Sequence, residues 1–163
     1  MKEYDQKTLD KLHRVEMEIV RDFKRVCEEN NLDYFGIGGT GIGALRHKGF
    51  IPWDDDIDIG LPRKDYEKFI EIAKKELSEK YIVLTAEDYE NWPFMMMRLI
   101  KKGTKFREYC LKDVDCELGI FLDLYAFDNI SDDPKKLKRQ GMAVWFLSLI
   151  HISMTAFLIA SVE

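Results

Sequence analysis

The residues best suited to chemistry lie in one stretch, Phe35 to Gly60, reading FGIGGTGIGALRHKGFIPWDDDIDIG. Asp56 to Leu61 alternates acid and apolar, which is the period of a strand. Residues two apart on a strand share a face with Cα atoms roughly 6–7 Å apart. Asp56 and Asp58 can therefore reach a common pair of metal ions while Ile57 and Ile59 pack behind them. Magnesium, or manganese in its place, prefers carboxylate oxygens and keeps several waters, so two or three aspartates suffice. Such an ion neutralises a diphosphate and steadies its leaving group, which is what phosphoryl or nucleotidyl transfer requires. Asp54 is a further candidate ligand, whereas Asp55 points to the opposite face and reads as structural. Upstream, Gly38 and Gly39 lack a Cβ and let backbone approach phosphate oxygens. Thr40 adds a hydroxyl at the start of a helix, where free N–H groups favour anions.

Three common readings of the same residues fail. Gly36-x-Gly38-x-x-Gly41 fits the dinucleotide fingerprint on paper, but that motif needs a full crossover helix and a single acid about twenty residues on. No Gly-Lys-Ser/Thr follows the glycines, so a P-loop is excluded. Asp54, Asp56 and Asp58 occupy calcium-loop positions, yet Ile59 stands where that loop needs glycine.

The elements that must position these groups follow from periodicity. Leu9, Leu12, Val15, Ile19, Phe23 and Val26 mark the apolar face of a helix over 8–29. Leu32 to Ile37 reads as a strand, Gly41 to His47 as a brief helix, and Lys48 to Trp53 as a loop in which Trp53 anchors by packing. A helix is expected over Arg63 to Lys80, and strands at Tyr81–Leu84, Phe94–Ile100 and Ile120–Tyr125. Asp132-Asp133-Pro134 caps a last helix. The chain is thus α/β (α+β), a mixed sheet flanked by helices. Its expected domains are a catalytic one over 1–133 and an apolar C-terminal helix over 134–163.

Twenty-five basic against 30 acidic side chains leave a net charge of −5, without the basic field of a nucleic-acid binder. The odd cysteine count favours free thiols at Cys27, Cys110 and Cys116. The charged N-terminal stretch carries no secretory signal, which predicts a cytoplasmic protein. Gly141 to Val162 has no formal charge and the length of a membrane-spanning helix, with Lys135 to Arg139 as a positive flank. Ser148, His151, Ser153 and Thr155 dilute it. The expectation is a helix that puts Trp145, Leu149, Ile152 and Ala156 on one face and is buried by protein. It reads as the start of a longer C-terminal portion, with contact at the inner membrane surface through residues 141–162 as the alternative.

Gly-Gly-Thr followed by Asp-x-Asp is similar to the nucleotidyltransferase signature, with a slightly longer gap. GGTGIGALRHKGFIPWDDDIDIGLPRKDYEKF narrows the match. It resembles the LicD family of phosphocholine transferases and fukutin-type enzymes in Gly38–Thr40, Ala44–His47, Pro52–Gly60 and Asp65-Tyr66. The resemblance runs from about residue 9 to 135. It implies a nucleotidyltransferase-like fold, and through GIFLDLYAFD it assigns the third metal-binding carboxylate to Asp123. It also favours Arg46 as a diphosphate contact. The implied reaction moves a phospho-alcohol group, classically phosphocholine, from a CDP-linked donor to a glycan hydroxyl, as in teichoic acid or lipopolysaccharide modification. The alternatives are a nucleotidyltransferase that makes the CDP-linked donor, and a non-catalytic module that binds nucleotide or glycan. Arg98, Lys101 and Lys102 are weighed as local positive charge for a phosphate, against a solvated strand end.

Overall fold

The helix predicted from 8–29 forms as α1, Gln6–Asn30. Asp5 caps it by accepting from the Thr8 N–H at 2.9 Å. Asn31 ends it in the left-handed conformation, φ 52°. Its buried face runs Leu9, Leu12, Glu16, Ile19, Phe23, Val26 and Cys27. From Leu9 to Val26 every core step is three or four residues, but one of the positions is a glutamate.

The computed structural model describes residues 4–160, with side chains described through residue 148. After α1 come β1 (Phe35–Gly36), α2 (Gly38–His47), β2 (Asp58–Pro62), α3 (Arg63–Glu76), β3 (Tyr81–Leu84), β4 (Met97–Lys101), a single 3-10 turn at Tyr109–Leu111, β5 (Phe121–Phe127) and α4 (Pro134–Ala160). The five strands form one mixed sheet in the order β1-β2-β5-β4-β3. Only β2 and β5 run parallel.

Several elements are shorter than their sequence suggests, among them β4, which spans Met97–Lys101 where Phe94–Ile100 is expected. The strand expected over Leu32–Ile37 pairs only at Phe35 and Gly36, because Gly38 already opens α2. The helix after Arg63 stops at Glu76, where the Lys80 and Tyr81 N–H groups both turn back to the Leu77 carbonyl, 3.0 and 2.9 Å. That turn delivers the chain into β3. The thiols of Cys27, Cys110 and Cys116 are all free.

Alternation sorts the strand residues into two clusters. Ile59 and Leu61 of β2, Met97 and Leu99 of β4, and Leu122 and Leu124 of β5 pack with α1 and α3 around Phe23 and Phe69. Ile100 and Phe121 belong to a second cluster with Trp92, Leu111, Cys116 and Leu118 from the segment between β3 and β5. Register sets Asp58 beside Asp123, and Asp123 beside Arg98. These three charged residues therefore occupy one row across β2, β5 and β4.

The chain divides into two units, residues 1–127 and 128–163. The second holds α4, started by Asp133, whose carboxylate accepts from the Lys135 N–H at 2.8 Å. Among the described residues no helix is long and apolar enough to cross a membrane. The side chains from Leu149 onward, and with them the expected alignment of Leu149, Ile152 and Ala156, lie outside the described residues.

Candidate active site

The glycine turn and the acid run meet at the start of α2. Gly38 has φ +52°, the left-handed region that favours glycine. A Cβ on Gly39 would stand 2.5 Å from Asp54 Oδ2, and one on Gly38 would stand 3.2 Å from Asp58 Oδ2. The two glycines thus let carboxylates lie against the N-terminus of α2, where the helix dipole favours negative charge. The Thr40 hydroxyl accepts from the Asp58 backbone N–H at 2.9 Å, tying α2 to the first residue of β2.

Asp56 lies in the lead-in to β2, which begins at Asp58 and not at Asp56 as its alternation suggests. The lead-in is still held to the sheet, because the Asp123 N–H donates to the Ile57 carbonyl at 3.1 Å. Ile57 and Ile59 are buried and the acids on either side are half-buried, so the alternation survives outside the regular strand.

The acids are crowded. Burial first, then the charges of Asp58, Asp54, Asp55 and Asp123, push the Asp56 carboxyl up to about 7. Asp54 is raised by burial and by Asp55, with His13 opposing. Asp58 is raised by burial, against a hydrogen bond from the Tyr125 hydroxyl and the charge of Arg98. Crowded oxygen donors of this kind suit a hard divalent cation. Among the described residues no three His, Cys, Asp or Glu side chains converge into a ready-made metal cage. Magnesium does not demand one, since it binds through one or two carboxylates and retains water.

Asp123 is handled differently. It is only 4% exposed. Arg98 Nε donates to its Oδ1 at 2.7 Å and Nη2 to its Oδ2 at 2.8 Å, while Nη1 donates to Glu108 Oε2 at 2.6 Å. The guanidinium lies 3.5 Å from the Phe121 ring centroid. Burial acts to lower Arg98, but its bonds to Asp123 and Glu108 outweigh that and raise it. Arg98 is therefore spent on carboxylates and is not offered to a phosphate. Both Asp123 oxygens have a partner, so a cation taken up there must share the carboxylate with Arg98.

Other expectations separate from this centre. Arg46 is exposed in the last turn of α2, about 12 Å along the axis from Gly38 at 1.5 Å per residue. Trp53, expected to anchor its loop by packing, is 76% exposed. Lys101 binds Glu18, and Lys102 donates to the Ser78 carbonyl at 2.7 Å.

Two residues of α1 enter unforeseen. His13 Nε2 lies 2.7 Å from the Asp54 carbonyl, which can only accept, so Nε2 is the donor. Its ring stacks on Phe50, centroids 3.7 Å apart. One turn later Glu16 is 2% exposed, and its Oε2 has no hydrogen-bond partner. Burial first, then Asp56, Asp55 and Asp54, raise its carboxyl to about 8. Glu16 fits the stepping of the apolar face as well as Val15 does, and that was the available signal.

Comparison with known proteins identifies the family. Residues 31–137 match the family model described as LicD/FKTN/FKRP, nucleotidyltransferase domain. The chain is 34% identical over 129 residues to the lipopolysaccharide cholinephosphotransferase LicD of Haemophilus influenzae, covering 78% of this chain and 47% of that protein. It is 32% identical over 85 residues to an uncharacterized protein of Rickettsia prowazekii, covering 40% of this chain and 32% of the relative. The chain thus spans about half the length of the Haemophilus protein. Glycine turn, acid run and third acidic strand all fall inside the matched region, and the chain belongs to the LicD/FKTN/FKRP family.

Proposed function

We propose that this chain carries the catalytic domain of a transferase that moves phosphocholine, or a related phospho-alcohol, from a CDP-linked donor to a glycan hydroxyl at the cytoplasmic face of a membrane. The acceptor class follows the Haemophilus relative, whose name specifies lipopolysaccharide. The observation that carries the reading is the acid run Asp54–Asp58 packed on the glycine-opened N-terminus of α2. That juxtaposition sets anionic ligands beside free N–H groups, the two things a diphosphate and its counter-ion need.

Asp56 and Asp58 are the expected holders of a magnesium or manganese ion, with Asp123 as third acid and Asp54 beside them. A divalent ion bound there supplies charge neutralisation of the diphosphate and of the departing phosphate. The chain's own residues do the rest. Gly38 and Gly39 let donor phosphates approach the α2 backbone, and Thr40 keeps α2 and Asp58 in fixed relation. Arg98 holds Asp123 in a single orientation. Arg46 contacts the donor only if the diphosphate extends along α2. In the reaction the acceptor oxygen forms a new bond to the phosphorus bearing the alcohol. The diphosphate bridge breaks, CMP leaves, and the hydroxyl proton passes to solvent.

The test is to incubate the full-length protein with magnesium, CDP-choline and lipopolysaccharide and to identify the small product. CMP release together with choline-bearing glycan is expected, and Asp58→Asn should abolish both. The family model's description as a nucleotidyltransferase domain favours one rival, synthesis of the CDP-alcohol from CTP. Pyrophosphate release from CTP and phosphocholine would select that rival. Binding of CDP-choline without turnover, under magnesium and across a panel of glycans and CDP-alcohols, would reduce the domain to a binding module.

A further inference from the structure

Glu16 is the one buried side-chain polar atom without a partner among the described residues. A carboxylate removed from water without a compensating group costs several kcal/mol, so such a position calls for an explanation. Its surroundings give one. His13, three residues earlier on the same side of α1, touches the acid-bearing segment directly through the Asp54 carbonyl. Met17 and Asp54 wall one common cavity. The charges felt most strongly at Glu16 are those of Asp56, Asp55 and Asp54. Among the described residues no Lys or Arg is paired with it, in contrast to Asp123. In the metal-free protein a proton can neutralise this carboxyl, and a divalent cation brought to the neighbouring acids is the group that can displace that proton.

We infer that Glu16 of α1 is a further ligand of the divalent cation at the acid run, shared with Asp56, so that the ion ties α1 to the segment entering β2. The inference rests on the metal-dependent reading of the site given above. It gives α1 a role that no pattern in the Gly38–Gly60 stretch supplies.

The test measures metal binding, not turnover. The full-length protein is titrated with Mn²⁺ while free ion is followed by electron paramagnetic resonance, in the absence of nucleotide. Glu16→Gln keeps the shape and removes the charge, and its Mn²⁺ dissociation constant should rise at least about ten-fold. Glu18→Gln, altering another carboxylate of α1 that is paired with Lys101 of β4, should leave affinity within about two-fold of wild type. Wild-type affinity in Glu16→Gln overturns the inference and leaves the metal site standing. Failure of the wild type to bind Mn²⁺ overturns both. Should Glu16→Gln not fold, the wild type decides the matter through its carboxyl carbon resonances. Substoichiometric Mn²⁺ must broaden Glu16 and spare Glu18, and an unbroadened Glu16 signal at saturation rejects the inference.

Discussion

Two groups of carboxylates sit within one sheet's reach of each other, and the protein treats them in opposite ways. Asp123 is sunk in the second apolar cluster, yet both of its oxygens are bonded to Arg98, which is itself flanked by Glu108 and Phe121. Asp54, Asp56, Asp58 and Glu16 are also withdrawn from water, but they are left crowded against one another, and burial and mutual repulsion raise them all. The first group has its countercharge within the fold, although burial still raises the Asp123 carboxyl against the pull of Arg98. The second is complete only when something from outside brings positive charge. A stability role explains the first and cannot explain the second.

The largest expected effect breaks the complete group. Arg98→Met leaves Asp123 and Glu108 without their donor, and Asp123→Asn leaves a buried guanidinium short of charge. Loss of one partner of a buried pair costs about 3–5 kcal/mol, so each variant should lose that much stability in urea unfolding. Joint replacement as Arg98→Met with Asp123→Leu should cost much less than the sum. Additive losses would show that the pair is not the unit described here.

Next in size is the pH dependence of the metal-free protein, which isolates the incomplete group. Asp56 is raised to about 7 and Glu16 to about 8, both above their unfolded values. The folded state therefore binds more protons than the unfolded state between about pH 4.5 and 8. Their contribution is fully present below that window and is lost as pH rises through the folded values. Chelator-treated protein should melt several degrees higher at pH 5.5 than at pH 8.5, and Asp56→Asn should flatten that slope. Added magnesium should stabilise more at pH 8.5 than at 5.5, since it competes with these protons. A melting temperature that climbs with pH in chelator would contradict the description of the site.

The contrast also explains what could be read from the sequence. Alternation placed β2, and three- and four-residue steps placed α1, because both report which face is dry. Gly38 and Gly39 were legible as a close approach, although the nearest partners are the carboxylates of Asp58 and Asp54. Glu16 was passed over because a glutamate in a charge-rich helix ordinarily faces water. Its burial is a tertiary fact, and the nearby segment that carries Phe50 and Asp54 meets α1 one turn earlier, at His13. Arg98 needed the pairing of β4 with β5, which no local pattern encodes. Arg46 was favoured by the family stretch alone; its place in the last turn of α2, about 12 Å along the axis from Gly38, needed the helix.

The smallest expected effect sharpens the comparison at Asp58, which stands between the two groups in register with Asp123. The Tyr125 hydroxyl donates to Asp58, a neutral version of what Arg98 does for Asp123. The acidity of that hydroxyl is itself suppressed by burial, then by Asp58 and Asp123, so it remains a donor. Tyr125→Phe removes one hydrogen bond to a charged acceptor, worth about 1.5–3 kcal/mol. The bond favours ionised Asp58, so the loss should be close to its full size at pH 8.5 and shrink at pH 4, where the carboxyl takes a proton. Carbon-13 titration of the Asp58 carboxyl should move upward in the variant. Equal losses at both pH values would mean that Tyr125 acts through packing alone, and that Asp58 belongs wholly to the crowded group.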